Sequence, residues 1–272
     1  MHSEIESSMS FPLPVVFDME THDPDDFLTL LWLLGHPRID LKGVTITPGS
    51  TAQVGLVREA LRWFSCEHIP VGAFQIDHLK SCVSSWHYSA YGAIPPSTDA
   101  VFGPELLFSL CDEHTTLIIG ASPRNLGRAL QMPGFRLGRW VAQGGFAGVG
   151  VVPEEKQLPQ FRGLRTCPTF NLNGAPRAVL AALKHPGIGR KRFVSKNVCH
   201  RVIYDLAMHD WLGNCKEHNL ALQKIWQGMD VYLQKKNRKD NRLGYRCNEQ
   251  IVSDPVRLID LQGQNLGFVA LA

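Results

Sequence analysis

No stretch of this sequence is apolar for long enough to cross a bilayer: the longest runs, such as residues 27–34, fall well short of the roughly 20 residues a membrane helix needs. The amino terminus, Met1-His-Ser-Glu-Ile-Glu, has neither the basic nor the apolar region of a secretory signal. A cytoplasmic protein with no membrane partner is the expectation. There is no Cys-x-x-Cys pair either. The seven cysteines are odd in number and widely spread, which speaks against a disulfide framework and a structural zinc site alike. Basic patches interleaved with aromatics are also missing. The densest basic run, Lys235 to Lys239, is broken at Asp240 and the formal net charge is only +3, so a solvated loop explains the run and no nucleic-acid partner is expected.

What remains is an ordinary globular composition. With 272 residues, 44% hydrophobic and 19% charged, the chain can bury a full core. Residues 1–12 are polar and unpatterned and read as a mobile leader, leaving 13–272 as a single domain. Val15-Val-Phe17 reads as a strand, 27–34 as a buried helix closed by Gly35 and Pro37, 39–47 as a strand and 52–64 as a helix. Further on, 116–120, 140–143, 192–194 and 201–204 read as strands, and 125–130, 178–183 and 221–234 as helices. Residues 151–167, with Pro153 and Pro159, form a long irregular loop of the kind kept as an active-site wall. This alternation predicts an α/β fold, a Rossmann-like and mainly parallel sheet with helices on both faces. Ligands of such folds sit beyond the carboxyl ends of the strands.

One strand end stands out. Asp18-Met-Glu20-Thr-His22-Asp23-Pro-Asp25-Asp26 places five carboxylates within nine residues, between two hydrophobic elements. Like charges so close repel unless a cation gathers them, and hard divalent ions with oxygen ligands do so. Calcium, or alternatively magnesium, is therefore the expected cofactor. Asp23 and Asp25 could serve only to favour the start of the following helix, but five carboxylates exceed that need.

The segment resembles the D-x-D-P-G-x-D-D signature of the inosine/uridine-preferring nucleoside hydrolases, with one residue inserted and Glu20 in place of the second aspartate. Further resemblances follow in order: Leu41-Lys-Gly-Val-Thr-Ile-Thr-Pro-Gly49 to L-x-G-V-T-x-x-x-G, and Ala121-Ser-Pro-Arg124-Asn125-Leu126 to G-P-L-T-N. Gln143-Gly-Gly-Phe146 is similar to the M-G-G strand end, Pro168-Thr-Phe-Asn171 to E-F-N, and Asp254-Pro255 to the late H-D-P. The resemblance implies a nucleoside hydrolase fold acting on a small-molecule nucleoside or riboside, in a homodimer or homotetramer. Carried over residue by residue, it implies metal ligation by Asp18, Glu20, Asp26, the Arg124 carbonyl and Asp254. It implies Asp25 as the base that activates water, and Asn171 and Asn173 as ribose contacts. His22, inside the acidic loop, is a further candidate for substrate binding.

Three positions depart from that family pattern. Thr169 replaces the glutamate of E-F-N, no asparagine follows Gly144-Gly145, and Ser253 replaces the histidine that protonates the leaving base. The 17 residues after Pro255 are also fewer than the family leads one to expect, so an incomplete carboxyl end stays open. The leading expectation is calcium-assisted hydrolysis of an N-riboside to ribose and free base. A catalytically impaired binding protein of the same fold is the main alternative. A metal-dependent phosphohydrolase, reading Asp18-Met-Glu-Thr21 as a variant D-x-D-x-T loop, is the other; it leaves Asp25 and Asp26 without a role.

Overall fold

The computed structural model describes residues 12–242, 256–259 and 265–269. Apart from Pro12, the expected leader lies outside the described residues, as do Ser253 and Asp254. The chain divides into two compact units, Met1–Met229 and Asp230–Ala272. The first contains β1 (Leu13–Met19), α1 (Asp25–Gly35), β2 (Ile39–Ile46), α2 (Thr51–Trp63), β3 (Val71–Ala73), α3 (Ser85–Tyr91), β4 (Val101–Phe102) and α4 (Gly103–Leu110). It continues through β5 (Thr116–Ile119), α5 (Arg124–Ala129), β6 (Leu137–Gln143), α6 (Phe170–Gly174), α7 (Pro176–Lys184), β7 (Ile188–Val194), α8 (Lys196–Cys199) and α9 (Leu206–Cys215), and on into α10 (Leu220–Arg242). The second unit holds the end of α10 and an antiparallel pair, β8 (Val256–Ile259) and β9 (Asn265–Val269).

Seven parallel strands form the sheet, in the order β4-β3-β2-β1-β5-β6-β7. The expected α/β sheet is thus present. Strand order runs one way from β1 through β2 and the other way from β1 through β5, so the carboxyl ends of β1 and β5 border a topological switch point. β1 is central and its residues 15–19 are buried on both faces, which is why Val15-Val-Phe-Asp-Met19 shows no polar alternation. Val16 joins the core formed with Leu117, Leu126, Trp140 and Ala182, on the side of α4, α5 and α7. Asp18, two residues on, points to that same face. Phe27 of α1 packs against Trp63, His87 and Tyr91. His87 therefore belongs to a packed aromatic cluster, as its neighbours Trp86 and Tyr88 suggest.

Local signals explain the ends of the helices. Asp25 and Asp26 fill the first turn of α1, where negative charge suits the helix dipole, and His36-Pro37 ends the helix. At the start of α2, Ser50 and Gln53 form a capping box. The Gln53 side chain does more than cap: Oε1 accepts from Gly49 N at 2.9 Å and Ser50 N at 3.1 Å, while Nε2 donates to Thr21 Oγ1 at 3.0 Å. This fully buried amide ties the acidic loop to the start of α2.

Two sequence expectations are corrected. Residues 201–204 form no strand; they are turn and irregular backbone with Val202 and Ile203 exposed, since a β-branched run without a strand beside it has nothing to pair with. The basic run 235–239, read as a loop, is helical and continues α10 beyond the expected end at 234. No helix among the described residues is long and apolar enough to cross a membrane.

Gln53→Met keeps the volume but strands the Gly49 and Ser50 amides and removes the donor to Thr21 Oγ1. Urea unfolding is expected to show a loss of about 2–4 kcal/mol; a change under about 0.5 kcal/mol would mean that the buried amide is not what fastens the loop.

Candidate active site

The acidic loop leaves the sheet at the switch point, and each of its carboxylates meets a different environment. Asp18, at the end of β1, is fully buried. Its Oδ1 accepts from Thr45 Oγ1 at 2.9 Å, its in-register neighbour on β2, and from Asn125 Nδ2 at 2.8 Å on α5. Its Oδ2 has no hydrogen-bond partner among the described residues. Burial raises the Asp18 pKa to about 7, against the lowering effect of its two donors.

Asp26 follows at the second position of α1, also buried. Its Oδ2 accepts from the Glu20 amide at 2.9 Å, and its carboxylate lies against Gly120, just past β5, where a side chain would strike it. Burial first, and then the charge of Asp25, pushes its pKa well above the ordinary carboxylate range. Glu20 is half-buried and turns its carboxylate back onto the His22 and Asp23 amides; burial raises its pKa as well. Asp25 stands at the solvent-facing start of α1, and partial desolvation, with a smaller contribution from Asp23, raises its pKa. A carboxylate so placed reaches water and binds a proton more readily than a free aspartate.

The other expected residues sit nearby with different duties. Asn171 is buried; its Nδ2 donates to the carbonyl of Gly120 and to Gln143 Oε1 at 2.6 Å. Asn173 is exposed and its Oδ1 accepts from Thr169 N at 2.9 Å. Thr169 Oγ1 in turn accepts from Gly145 N at 3.3 Å. Arg124 and His22 line a cavity of about 440 Å³ at the strand ends, together with Glu20, Thr47, His78 and Phe170. The volume is that of a small-molecule site. His78 and Cys82 carried no motif that would reveal them from the sequence, whereas Phe170 lies within the segment similar to E-F-N. Asn125, in the segment similar to G-P-L-T-N, reaches across to Asp18.

The donor chemistry fits a hard divalent cation in part. Asp18 brings a buried oxygen with no partner and Asp26 a second buried carboxylate, and both are oxygen donors of the calcium and magnesium type. Among the described residues, however, no three Asp, Glu, His or Cys side chains converge as a cage, because Glu20 is turned to its own loop. The phosphohydrolase reading fares worse. An aspartate nucleophile must reach its phosphorus, and Asp18 is sealed beneath Thr45 and Asn125.

Solved structures share this arrangement of elements. A plant nucleoside hydrolase aligns with 85% of this chain and 74% of its own, at 16% identity and a TM-score of 0.60. An inosine-uridine preferring nucleoside hydrolase from Bacillus anthracis aligns with 80% of this chain and 76% of its own, at 17% identity and a TM-score of 0.56. The type III effector XopQ, in complex with adenosine diphosphate ribose, aligns with 86% of this chain and 69% of its own, at 13% identity and a TM-score of 0.57. No family model and no curated protein sequence matches the chain. The fold is that of the nucleoside hydrolases, as the sequence resemblance implies. The low identities mark a divergent version of it.

Asp18 gives a test that does not depend on turnover. Its folded pKa lies above its unfolded one, so its contribution to metal-free stability is full at acid pH and is lost as pH rises from about 4 through about 7. Asp18→Asn removes the charge while keeping an acceptor for Thr45 and Asn125. Thermal melting of metal-free protein is expected to fall between pH ~5 and ~8 in the parent and to change less in the variant. Added calcium should raise the melting temperature of the parent alone; an equal rise in both proteins would remove Asp18 from the cation site.

Proposed function

We propose that this chain hydrolyses the N-glycosidic bond of a ribonucleoside or related N-riboside, giving ribose and free base. The observation that carries the proposal is the pair of buried carboxylates, Asp18 and Asp26, at the switch point of a nucleoside hydrolase fold, beside a cavity of nucleoside-compatible size. Asp18 and Asp26, with the Arg124 carbonyl as a further donor, would hold a calcium-type cation; magnesium is the alternative. When bound, such an ion acidifies water and binds hydroxyl oxygens.

The chain's own residues do the rest. Asp25 takes the proton of the water that attacks C1′, a role suited to an exposed carboxylate of raised proton affinity. As the bond to the base lengthens, the ribosyl ring becomes an oxocarbenium ion, and the carboxylates of the loop favour its positive charge. His22 and His78 both line the cavity and are the imidazoles available to hand a proton to the departing base where Ser253 cannot. The exposed Phe170 ring offers a stacking wall. Asn171 acts as a positioning residue by holding the Gly120 carbonyl behind Asp26, and Asn173 keeps α6 in place beside the ribose.

A second reading, ligand binding without turnover, is favoured by one observation. Thr169 stands where the family pattern has a carboxylate, and it spends its hydroxyl on Gly145. XopQ, with the same fold, is a complex with adenosine diphosphate ribose.

Reducing-sugar release from a panel of nucleosides in the presence of calcium separates the two. Turnover is expected, lost on chelation and reduced at least ~100-fold in kcat by Asp25→Asn with circular dichroism unchanged. Folded protein that releases no sugar at high concentration, yet binds nucleoside by calorimetry, would replace the hydrolase with the binding protein.

A further inference from the structure

A second cavity, of about 540 Å³, is lined by α5 and α7 and shares Arg124 with the first. Its charged lining is one-sided: Arg124, Arg128 and Arg177 border it and no aspartate or glutamate does. Three guanidinium groups around one groove make it electropositive, and an anion held between them would relieve their mutual repulsion. Two arginines outside the groove do have such partners, Asp99 for Arg58 at 2.9 Å and Glu59 for Arg62 at 2.6 Å. None of the three groove arginines makes an ion pair among the described residues, and Arg128 reaches only the neutral Gln131, at 3.3 Å. His185, also in the lining, accepts the Gly187 amide on Nδ1 at 3.1 Å, which leaves Nε2 as a hydrogen-bond donor. The start of α7 at Pro176, without a side-chain cap, adds the positive end of a helix dipole to the same groove.

We propose that this groove binds the phosphate of a phosphorylated riboside, a nucleotide-type monophosphate or diphosphate ester whose ribosyl unit occupies the neighbouring cavity. The guanidinium fork matches phosphate oxygens in pairs, and Arg124 borders both cavities, which sets a phosphate in one next to a sugar in the other. A neutral nucleoside would leave all three arginines unanswered. The assignment deepens the proposed function and rests on its ribosyl site.

Calorimetry with three probes tests both layers. Inorganic pyrophosphate, titrated without calcium, reads the groove alone; ribose and ribose 5-phosphate, titrated with calcium, read its connection to the ribosyl site. Parent protein is compared with R128A/R177A, in which both changes fall on exposed side chains outside the acidic loop. Pyrophosphate should bind the parent, more weakly as salt rises, and lose at least ~10-fold in affinity in the variant. Ribose 5-phosphate should bind the parent at least ~10-fold more tightly than ribose, and the variant should bring the two to parity with ribose affinity unchanged. Equal pyrophosphate affinity in both proteins, or none in either, would overturn the groove. Arginine-dependent pyrophosphate binding without any binding of either sugar would overturn the proposal differently, by removing the ribosyl site and leaving an unconnected anion site.

Discussion

A carboxylate sealed at the centre of a parallel sheet, with one oxygen satisfied and the other not, is the constraint around which this molecule is built. Asp18 occupies the position where a hydrophobic residue would continue the apolar run of β1, and taking its charge out of water is costly. The fold offsets only part of that cost, through Thr45 on one side and Asn125 on the other. Much of the surrounding geometry follows from this demand. β2 must pair with β1 in the register that sets Thr45 beside Asp18, and α5 must begin where Asn125 can reach back over the sheet. Helices α4, α5 and α7 then close a hydrophobic core over the same face of the sheet.

The remaining acidic residues are graded outward from that point. Asp26 is buried but tied to the loop's own backbone, Glu20 is half-buried and turned inward on its turn, and Asp25 meets solvent. The proton affinity of all four carboxylates is raised, and desolvation is the leading cause at each position. The groove lined by Arg124, Arg128 and Arg177 contrasts with the acidic loop in charge, and Arg124 borders both cavities.

Those features visible in the sequence were the ones made by short stretches of chain. The strand before Asp18, the acidic first turn of α1 and the alternation of strand with helix are local signals, and each was legible within a few residues to either side. The motifs around Ala121 and Gly144 likewise fell at strand ends, as their resemblance implied. The partners of Asp18 could not be read in the same way. Thr45 is 27 residues distant and Asn125 is 107, and only closure of the sheet unites them. His78 and Cys82 belong to segments with no periodicity to mark them. The strand expected at 201–204 shows the converse error, in which β propensity was present but no neighbouring strand was there to receive it.

Gly120 shows how such a site narrows the history of its sequence. Its backbone is not in the left-handed region, so no conformational rule demands glycine there. What excludes a methyl group is the Asp26 carboxylate, lodged where the Cβ would stand. Positions 26 and 120 therefore cannot diverge independently: a lineage that keeps the carboxylate is held to the smallest residue opposite it, and one that abandons the carboxylate is released. Among descendants of this fold, the volume found at position 120 would then serve as a record of whether the acidic pair is still in use.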